Sequence, residues 1–538
     1  MQLLAKQYAT LALTGQKGGA GSDDLSGEDE GEKGFYRTTF NLQELPADEC
    51  IWAWQTDPDI PQLTGMMWSK NSSRTNWAYQ RLGFNITQYN FFLQETEGST
   101  GEVAGYRAEV RFLRALHYWY FLDLWHKAPF KIDFNLSNLP VQKEGKELYD
   151  WLDNELTEIE NDLPEIGAYN NAANFGRVDK GAAYMLHARL ALNSAVYTDG
   201  QTKDYDKAIN YCDLLINSGK YELSKNVNTY GYTGYEQVFM ADNDENPQAM
   251  KEIIFPIRQD GAKTRSWTCA QYLIASTRTG GMPYCNTTDM WGCNFAHASL
   301  IEKFFPTITD CPIATEEKYK NATQLSSTKS APEDSIYMVD AEMGVTTRDV
   351  QTAANDDRAL FYGGIGGEKL RTLRADNLSN DFYAGLSIVK FSNMRSDRDK
   401  KAKDRGTHDV KFMDMDVPLI RYAEAYLTRA EARYRKEGAT QKVADDLNEL
   451  RDRARASQFQ VSDLNDRAIC DEWCREFYME GRRRSDLVRF DFFTTDKYMW
   501  DWKGLRPEGK EVKPHFNLYA IPDDDINGNK NMKQNPGF

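Results

Sequence analysis

Apolar residues recur every three to four positions over nine stretches of the chain: 1–14, 76–95, 101–125, 145–163, 178–197, 204–218, 417–436, 440–456 and 466–485. That period predicts amphipathic helices, which dominate both ends of the sequence. Between about 220 and 415 the period is lost. Loops rich in Gly, Asn, Thr and Ser take over, broken by short strand-like runs such as EIIFPIRQ and FYAGLSIVKF.

Two helical pairs read as related solutions to one packing problem. DKGAAYMLHARLALNSAVY followed by DYDKAINYCDLLINSGKYEL is a helix, a turn and a second helix closing on Gly219. LIRYAEAYLTRAEARYRKEG followed by TQKVADDLNELRDRARA repeats the arrangement, with Gly438 ending its first helix. Small alanines opposite Tyr and Leu let two helices approach and interdigitate, as in tetratricopeptide hairpins, although a 34-residue repeat is only loosely met. The expected fold is mainly α: tetratricopeptide-like hairpins forming a right-handed scaffold, with a loop-rich, short-strand insertion packed on it. One domain over 1–538 is expected, in three parts: helical 1–219, loop-rich 220–415, and C-terminal hairpins and tail over 416–538.

The stretch CREFYMEGRRRSDLVRFDFF, Cys474 to Phe493, poses a choice between an anion-binding patch and framework. At helical spacing Phe477, Leu487, Val488 and Phe490 turn inward. Glu476, Glu480, Arg482, Arg483, Arg484 and Asp486 lie close enough to neutralise one another. Arginine stems packed on aromatics, with heads on carboxylates, are the expectation here.

Charge narrows the function. With 81 acidic against 65 basic residues the formal net charge is −16, which disfavours nucleic acid as a partner, because neutralising phosphates needs clustered Lys and Arg. No uninterrupted apolar run reaches the roughly 20 residues that span a bilayer. The eight cysteines show no CxxC pair and no zinc-like spacing, and the six histidines form no HExxH or HxH group. His117 and His187 sit inside helical faces and read as ordinary partly buried side chains. The acidic, glycine-rich segment 15–34 lacks the Gly-Lys-Ser/Thr step of a phosphate loop and reads as surface loop. ADNDENPQ offers Asp242, Asp244 and Glu245 as oxygen ligands for calcium, without the glycine and distal glutamate of an EF-hand loop. A glycoside hydrolase would need two opposed carboxylates about a cleft, and no segment singles out such a pair.

The tryptophans carry more information. Trp52, Trp54, Trp68, Trp267 and Trp291 all lie in polar, turn-forming contexts outside the amphipathic helices. Loop indoles among Asn, Ser, Thr, Asp and Arg suit a sugar, whose apolar face stacks while its rim of hydroxyls takes hydrogen bonds. The same residues could serve a helical-repeat protein as an interface with another protein.

Five segments in order resemble the SusD/RagB family: RAEVRFLRALHYWYFLDLW, DKGAAYMLHARLAL, VPLIRYAEAYLTRAEA with LNELRDRARA, CREFYMEGRRRSDLVRFDFF, and LYAIPDDDINGNKNMKQNPGF. DLSGEDEG, QELPADE, EIIFPIRQDG and TRSWT resemble its starch-utilisation branch. The resemblance implies a non-catalytic outer-membrane lipoprotein. Such a protein binds a polysaccharide or oligosaccharide at the cell surface, α-glucan first and another glycan as the alternative, and partners a SusC-like TonB-dependent transporter. It requires no cofactor. It also implies an aromatic arc: Trp68 with Asn71 in the pattern Trp-x-x-Asn, then Trp267 and Trp291, with Asp48 and Arg265 as further hydroxyl partners. The family's lipid-bearing cysteine has no counterpart here, so attachment by a lipid anchor rests on the resemblance alone.

Overall fold

The computed structural model describes residues 1–15, 24–25, 31–279, 282, 285–312, 347–363, 371–375, 377–378, 384–398 and 406–538. The glycine-rich stretch expected to be surface loop therefore lies largely outside the described residues, as does the start of FYAGLSIVKF.

At the centre is the Glu102–Trp125 helix, in which every residue from Phe112 to Trp125 is buried. A helix buried all round must satisfy its polar side chains internally. Arg114 bonds Glu155 and Asn90, both at 2.9 Å, and Asp123 accepts from Gln43 at 2.7 Å and Tyr197 at 2.8 Å. His117 lies beside Asn85, and burial lowers its pKa to about 3, so it stays neutral. His187 sits between Asp153 at 2.7 Å and Glu160 at 2.9 Å. Both histidines are structural, as their helical settings predict.

The Ser73–Glu95 helix packs on the central one from one side and Gly145–Glu160 from another. The two expected hairpins are present. Lys180–Leu192 packs on Tyr205–Asn217, Ala423–Glu437 packs on Gln441–Arg453, and Ala423–Glu437 also packs on Tyr205–Asn217, joining the hairpins into one array. Strands are few and short, in antiparallel pairs: Cys50–Trp52 with Asn294–Ala296, Lys127–Phe130 with Val141–Glu144, Ile253–Ile257 with Val417–Arg421, and Phe361–Tyr362 with Ser387–Ile388. The main apolar cluster runs from Leu4 to Met532. No helix among the described residues is long and apolar enough to cross a membrane.

Three elements differ from the sequence reading. VPLIR, expected to begin a helix at 417, is a strand opposite Ile253–Ile257, and the helix starts at Ala423. All five of its residues are buried, so no alternation marks it as strand. The expected helix over 466–485 is two, Asp466–Phe477 and Arg483–Arg489. Between them Met479 and Gly481 take positive φ of 62° and 74°, and buried carboxylates hold the break: Glu49 accepts the Met479 N–H at 2.7 Å and Glu44 the Arg482 N–H at 2.8 Å. The Phe35–Glu44 helix was not among the expected elements, and all ten of its residues are buried, the polar ones included.

The arginine-rich stretch is framework. Arg483 bonds Asp48, Arg484 bonds Asp123, and Arg489 bonds Glu431. Arg482 lies over the Trp473 ring at 4.0 Å. Glu476 joins Arg421 at 2.6 Å and Arg358 at 3.1 Å, with Arg453 as a third partner, and all four side chains are fully buried. Neutralised in this way, the arginines leave no patch for an anion.

Candidate functional site

The Phe35–Glu44 helix and the Cys50–Trp52 strand set up one cluster of loop aromatics. Arg37, buried on the helix, places its guanidinium 4.8 Å from the Tyr272 ring centre and 5.6 Å from that of Trp291. Tyr272, on the Ala270–Thr277 helix, is fixed by its hydroxyl, which donates to Asn41 Oδ1 at 2.7 Å. Its ring stacks near Trp52 at 6.1 Å, and Trp52 in turn meets Trp54 edge to face at 5.9 Å. Trp52 is buried and its indole N–H donates to Asp57 at 3.0 Å, so it braces its neighbour.

Three indoles at this cluster are only half-buried: Trp54, Trp267 and Trp291. Trp291 is held at the end of the Ala270–Thr277 helix by its backbone N–H, which donates to Ala275 O at 2.8 Å. Trp267 packs edge to face on Phe412 at 5.0 Å, with the Lys411 ammonium 4.7 Å from its ring. Gly31 joins Trp267 to Arg37: a Cβ there would stand 2.4 Å from Trp267 Cβ and 3.3 Å from an Arg37 nitrogen, so only glycine permits this approach. The Arg37 Nε–H has no hydrogen-bond partner among the described residues. The cluster thus offers half-exposed stacking faces, held from behind, with a cationic donor beside them.

Of the residues singled out in the sequence, Trp267 and Trp291 meet here through Arg37. Arg265 is exposed next to them, its guanidinium 4.9 Å from the Phe412 ring on which Trp267 packs. Two others must be corrected. Trp68 is 2% exposed, packed at a tilt on Tyr519 at 4.4 Å and edge to face on Phe516 at 5.2 Å, and its indole N–H donates to Leu518 O at 3.0 Å. It fastens the closing segment of the chain and has no face left for a sugar. Asn71 is exposed three positions further along the chain. Asp48 is fully buried, with Lys303 at 2.7 Å and Arg483 at 2.6 Å. Burial alone would raise its pKa, but those two cations hold it well below the usual carboxylate range.

Trp54 was singled out as a loop indole but not placed in the expected arc, and Arg37 was not singled out at all. For Trp54 the usable signal was its step out of a strand into the polar turn QTDPD. For Arg37 there was none, because its position beside Tyr272 and Trp291 is set by contacts more than 200 positions away in the chain.

The acidic loop is arranged differently from the expected calcium set. Asp242 accepts from Ser396 N and Oγ, both at 2.7 Å, and Glu245 pairs with Arg395 at 2.6 Å, so these two carboxylates are engaged separately. Asp244 pairs with Arg258 at 2.9 Å, and Arg258 also reaches Asp416 Oδ2 at 3.2 Å. Asp416 is fully buried. Burial, with Asp244 and Asp414 adding to it against Arg258, pushes its pKa up to about 8. Apart from that ion pair, its Oδ2 has no hydrogen-bond donor among the described residues.

The model of the SusD family matches residues 369–538. The starch-binding protein SusD of Bacteroides thetaiotaomicron is 51% identical over 537 residues, covering 100% of this chain and 92% of that protein. Among solved structures, surface glycan-binding protein A from Bacteroides fluxus superposes with a TM-score of 0.66 at 17% identity, covering 100% of this chain and 98% of that one. Surface glycan-binding protein A from Bacteroides thetaiotaomicron, in complex with laminarihexaose, gives a TM-score of 0.61 at 17% identity over 99% and 98% of the two chains. At those identities the structures establish the shared fold, and the end-to-end identity to the first relative establishes more: the chain belongs to the SusD family.

Proposed function

We propose that this chain is a non-catalytic surface binder of oligosaccharide and polysaccharide, α-glucan in the first place. It acts on the extracellular face of the outer membrane and passes its ligand to a SusC-like TonB-dependent transporter. The observation that carries the reading is the group of three half-buried indoles, Trp54, Trp267 and Trp291, braced by Arg37 and Tyr272. It occurs in a chain 51% identical to a starch-binding protein from end to end. Indoles from three separate loops suit a ligand several sugars long. Each stacked ring contributes about 0.5–1.5 kcal/mol beyond area burial. Hydroxyl contacts from Arg37 and Arg265 add little net affinity because they replace bonds to water.

Affinity electrophoresis through amylopectin and through laminarin tests both the site and the glycan. Retardation by amylopectin that weakens about 2- to 12-fold in each of Trp54→Ala, Trp267→Ala and Trp291→Ala, and persists in Asn71→Ala, is the expected result. Retardation by laminarin alone would move the ligand to a β-glucan. Unchanged mobility of the three tryptophan variants would overturn the site.

Sugar binding in this reading needs no cofactor. A calcium ion held by Asp242, Asp244 and Glu245 is a separate proposal: their carboxylates are hard oxygen donors, and Arg258 and Arg395 would have to swing aside to admit the ion. Thermal unfolding with and without calcium, in wild type and Asp244→Asn, tests it: a rise in Tm confined to wild type is expected.

A further inference from the structure

A second concave site lies along the outer face of the Ser73–Glu95 helix. It is a groove of about 460 Å³ between that helix, the 129–140 turn and the short Asp523–Gly528 helix. It includes none of the three indoles, nor Arg37 or Tyr272. We infer that this groove is an additional binding site for a neutral saccharide, independent of the aromatic cluster.

Its lining has the two components such a ligand requires. Phe84 and Phe134 are half-buried aromatic rings, each braced: the Arg81 guanidinium stands 5.5 Å from the Phe84 ring centre and Phe91 meets Phe134 at 5.1 Å. Asn76, Gln80 and Asp524 supply amide and carboxylate groups whose side chains make no hydrogen bond among the described residues. Rings with hydrogen-bonding groups around them match the apolar face and hydroxyl rim of a pyranose.

Gly83 gives the groove the look of a maintained space. It lies in the middle of a 23-residue helix, where glycine is a poor helix former, yet a Cβ built on it meets nothing within 4 Å and its φ is not positive. Neither packing nor backbone conformation demands glycine at this position. A side chain there would project into the groove.

Charge restricts the ligand. Asp133, Asp524 and Asp525 all line the groove, and its one cation, Lys131, is engaged by Asp133 at 3.1 Å and Asn138 O at 3.0 Å. Uronates and sulfated sugars would meet carboxylates without compensation, whereas a neutral sugar would find acceptors for its hydroxyls.

The test uses saturation-transfer NMR with maltoheptaose and with laminarihexaose. The proteins are the full-length wild type, the triple variant Trp54→Ala/Trp267→Ala/Trp291→Ala, and each of these with Gly83→Leu. Saturation transfer to at least one sugar should persist in the triple variant and fall at least fivefold when Gly83→Leu is added. Phe84→Ala in the triple background should lower it similarly without filling the groove. Absence of transfer to both sugars in the triple variant, or transfer that Gly83→Leu and Phe84→Ala leave unchanged, would overturn the inference. Equal binding by wild type and triple variant, both abolished by Gly83→Leu, would support the groove while overturning the three-indole site, so the two readings fail separately.

Discussion

Replacing Glu476 by glutamine should destabilise this protein more than almost any other single isosteric change. The carboxylate is fully buried and receives Arg421 Nη1 at 2.6 Å, Arg358 Nη1 at 3.1 Å and Arg453. Burial alone would favour protonation, but Arg453, Arg421 and Arg358 outweigh it and hold the pKa far below the ordinary glutamate value of 4.5. Glutamine keeps the shape, removes the charge, and turns one acceptor into a donor aimed at a guanidinium. Breaking a buried ion pair by removing one partner costs about 3–5 kcal/mol. That is a large share of the roughly 5–15 kcal/mol by which folded proteins are stable. Urea unfolding at pH 7 should show a lower midpoint with an unchanged slope. The sign with pH follows from the lowered folded-state pKa: this carboxylate's stabilisation is present above about pH 4.5 and is lost as pH falls towards the folded value. The gap between wild type and variant should therefore narrow in acid. A loss below about 1 kcal/mol at pH 7, or a gap that stays constant from pH 7 to pH 3, would refute the view that this network is held by ionised Glu476.

Trp68→Ala should cost about 3–5 kcal/mol in urea unfolding, as for other buried aromatics, while the folded protein keeps its retardation by glycan. Lost retardation with unchanged stability would restore Trp68 to the binding site. Asp416 has a folded pKa raised to about 8 from 3.8, so its protonated form stabilises the fold below about pH 4 and that contribution is lost as pH rises through 8. Asp416→Asn should flatten the fall in unfolding free energy between pH 5 and pH 9, by on the order of a few kcal/mol. Gly34→Ala would put a Cβ 2.0 Å from Thr268 Oγ1, which accepts the Arg37 N–H. A loss of about 1–3 kcal/mol is expected from such overpacking, together with weaker glycan retention as Arg37 and Trp267 shift.

The helical ends of the chain were legible because their exposed faces are polar. Gly145–Glu160 and Gln441–Arg453 alternate burial with the period of the helix, and their bounds agree with the sequence reading to within a few residues. Legibility failed for short elements buried on all sides. Phe35–Glu44 spans ten residues and Val417–Arg421 five, too short for an apolar run to decide between helix and strand. The split at Met479 depended on Glu44 and Glu49, more than 400 positions away in the chain. The same limit governed the site. Trp267 and Trp291 could be picked out by their polar neighbours, but Trp68 sits in an equally polar run, GMMWSKNSS, and is buried by Phe516 and Tyr519 from the far end of the sequence. Local context identifies a loop indole and says nothing of what later covers it.

The fastening of the closing segment also bears on how the chain is made. Tyr519 is fully buried, donates its hydroxyl to Leu42 O at 2.6 Å and packs on Trp68, while Trp125 donates to Ala520 O at 3.0 Å and Asn535 donates to Trp125 O at 2.8 Å. The first helices can form early in synthesis, but the surface that receives these residues is completed only after the last of them leaves the ribosome. Until then Trp68 and part of the central helix remain uncovered on the nascent polypeptide, a state that favours association with other chains or with a chaperone. Productive folding of this protein is therefore timed by synthesis of its 519–535 segment rather than by that of its first helices.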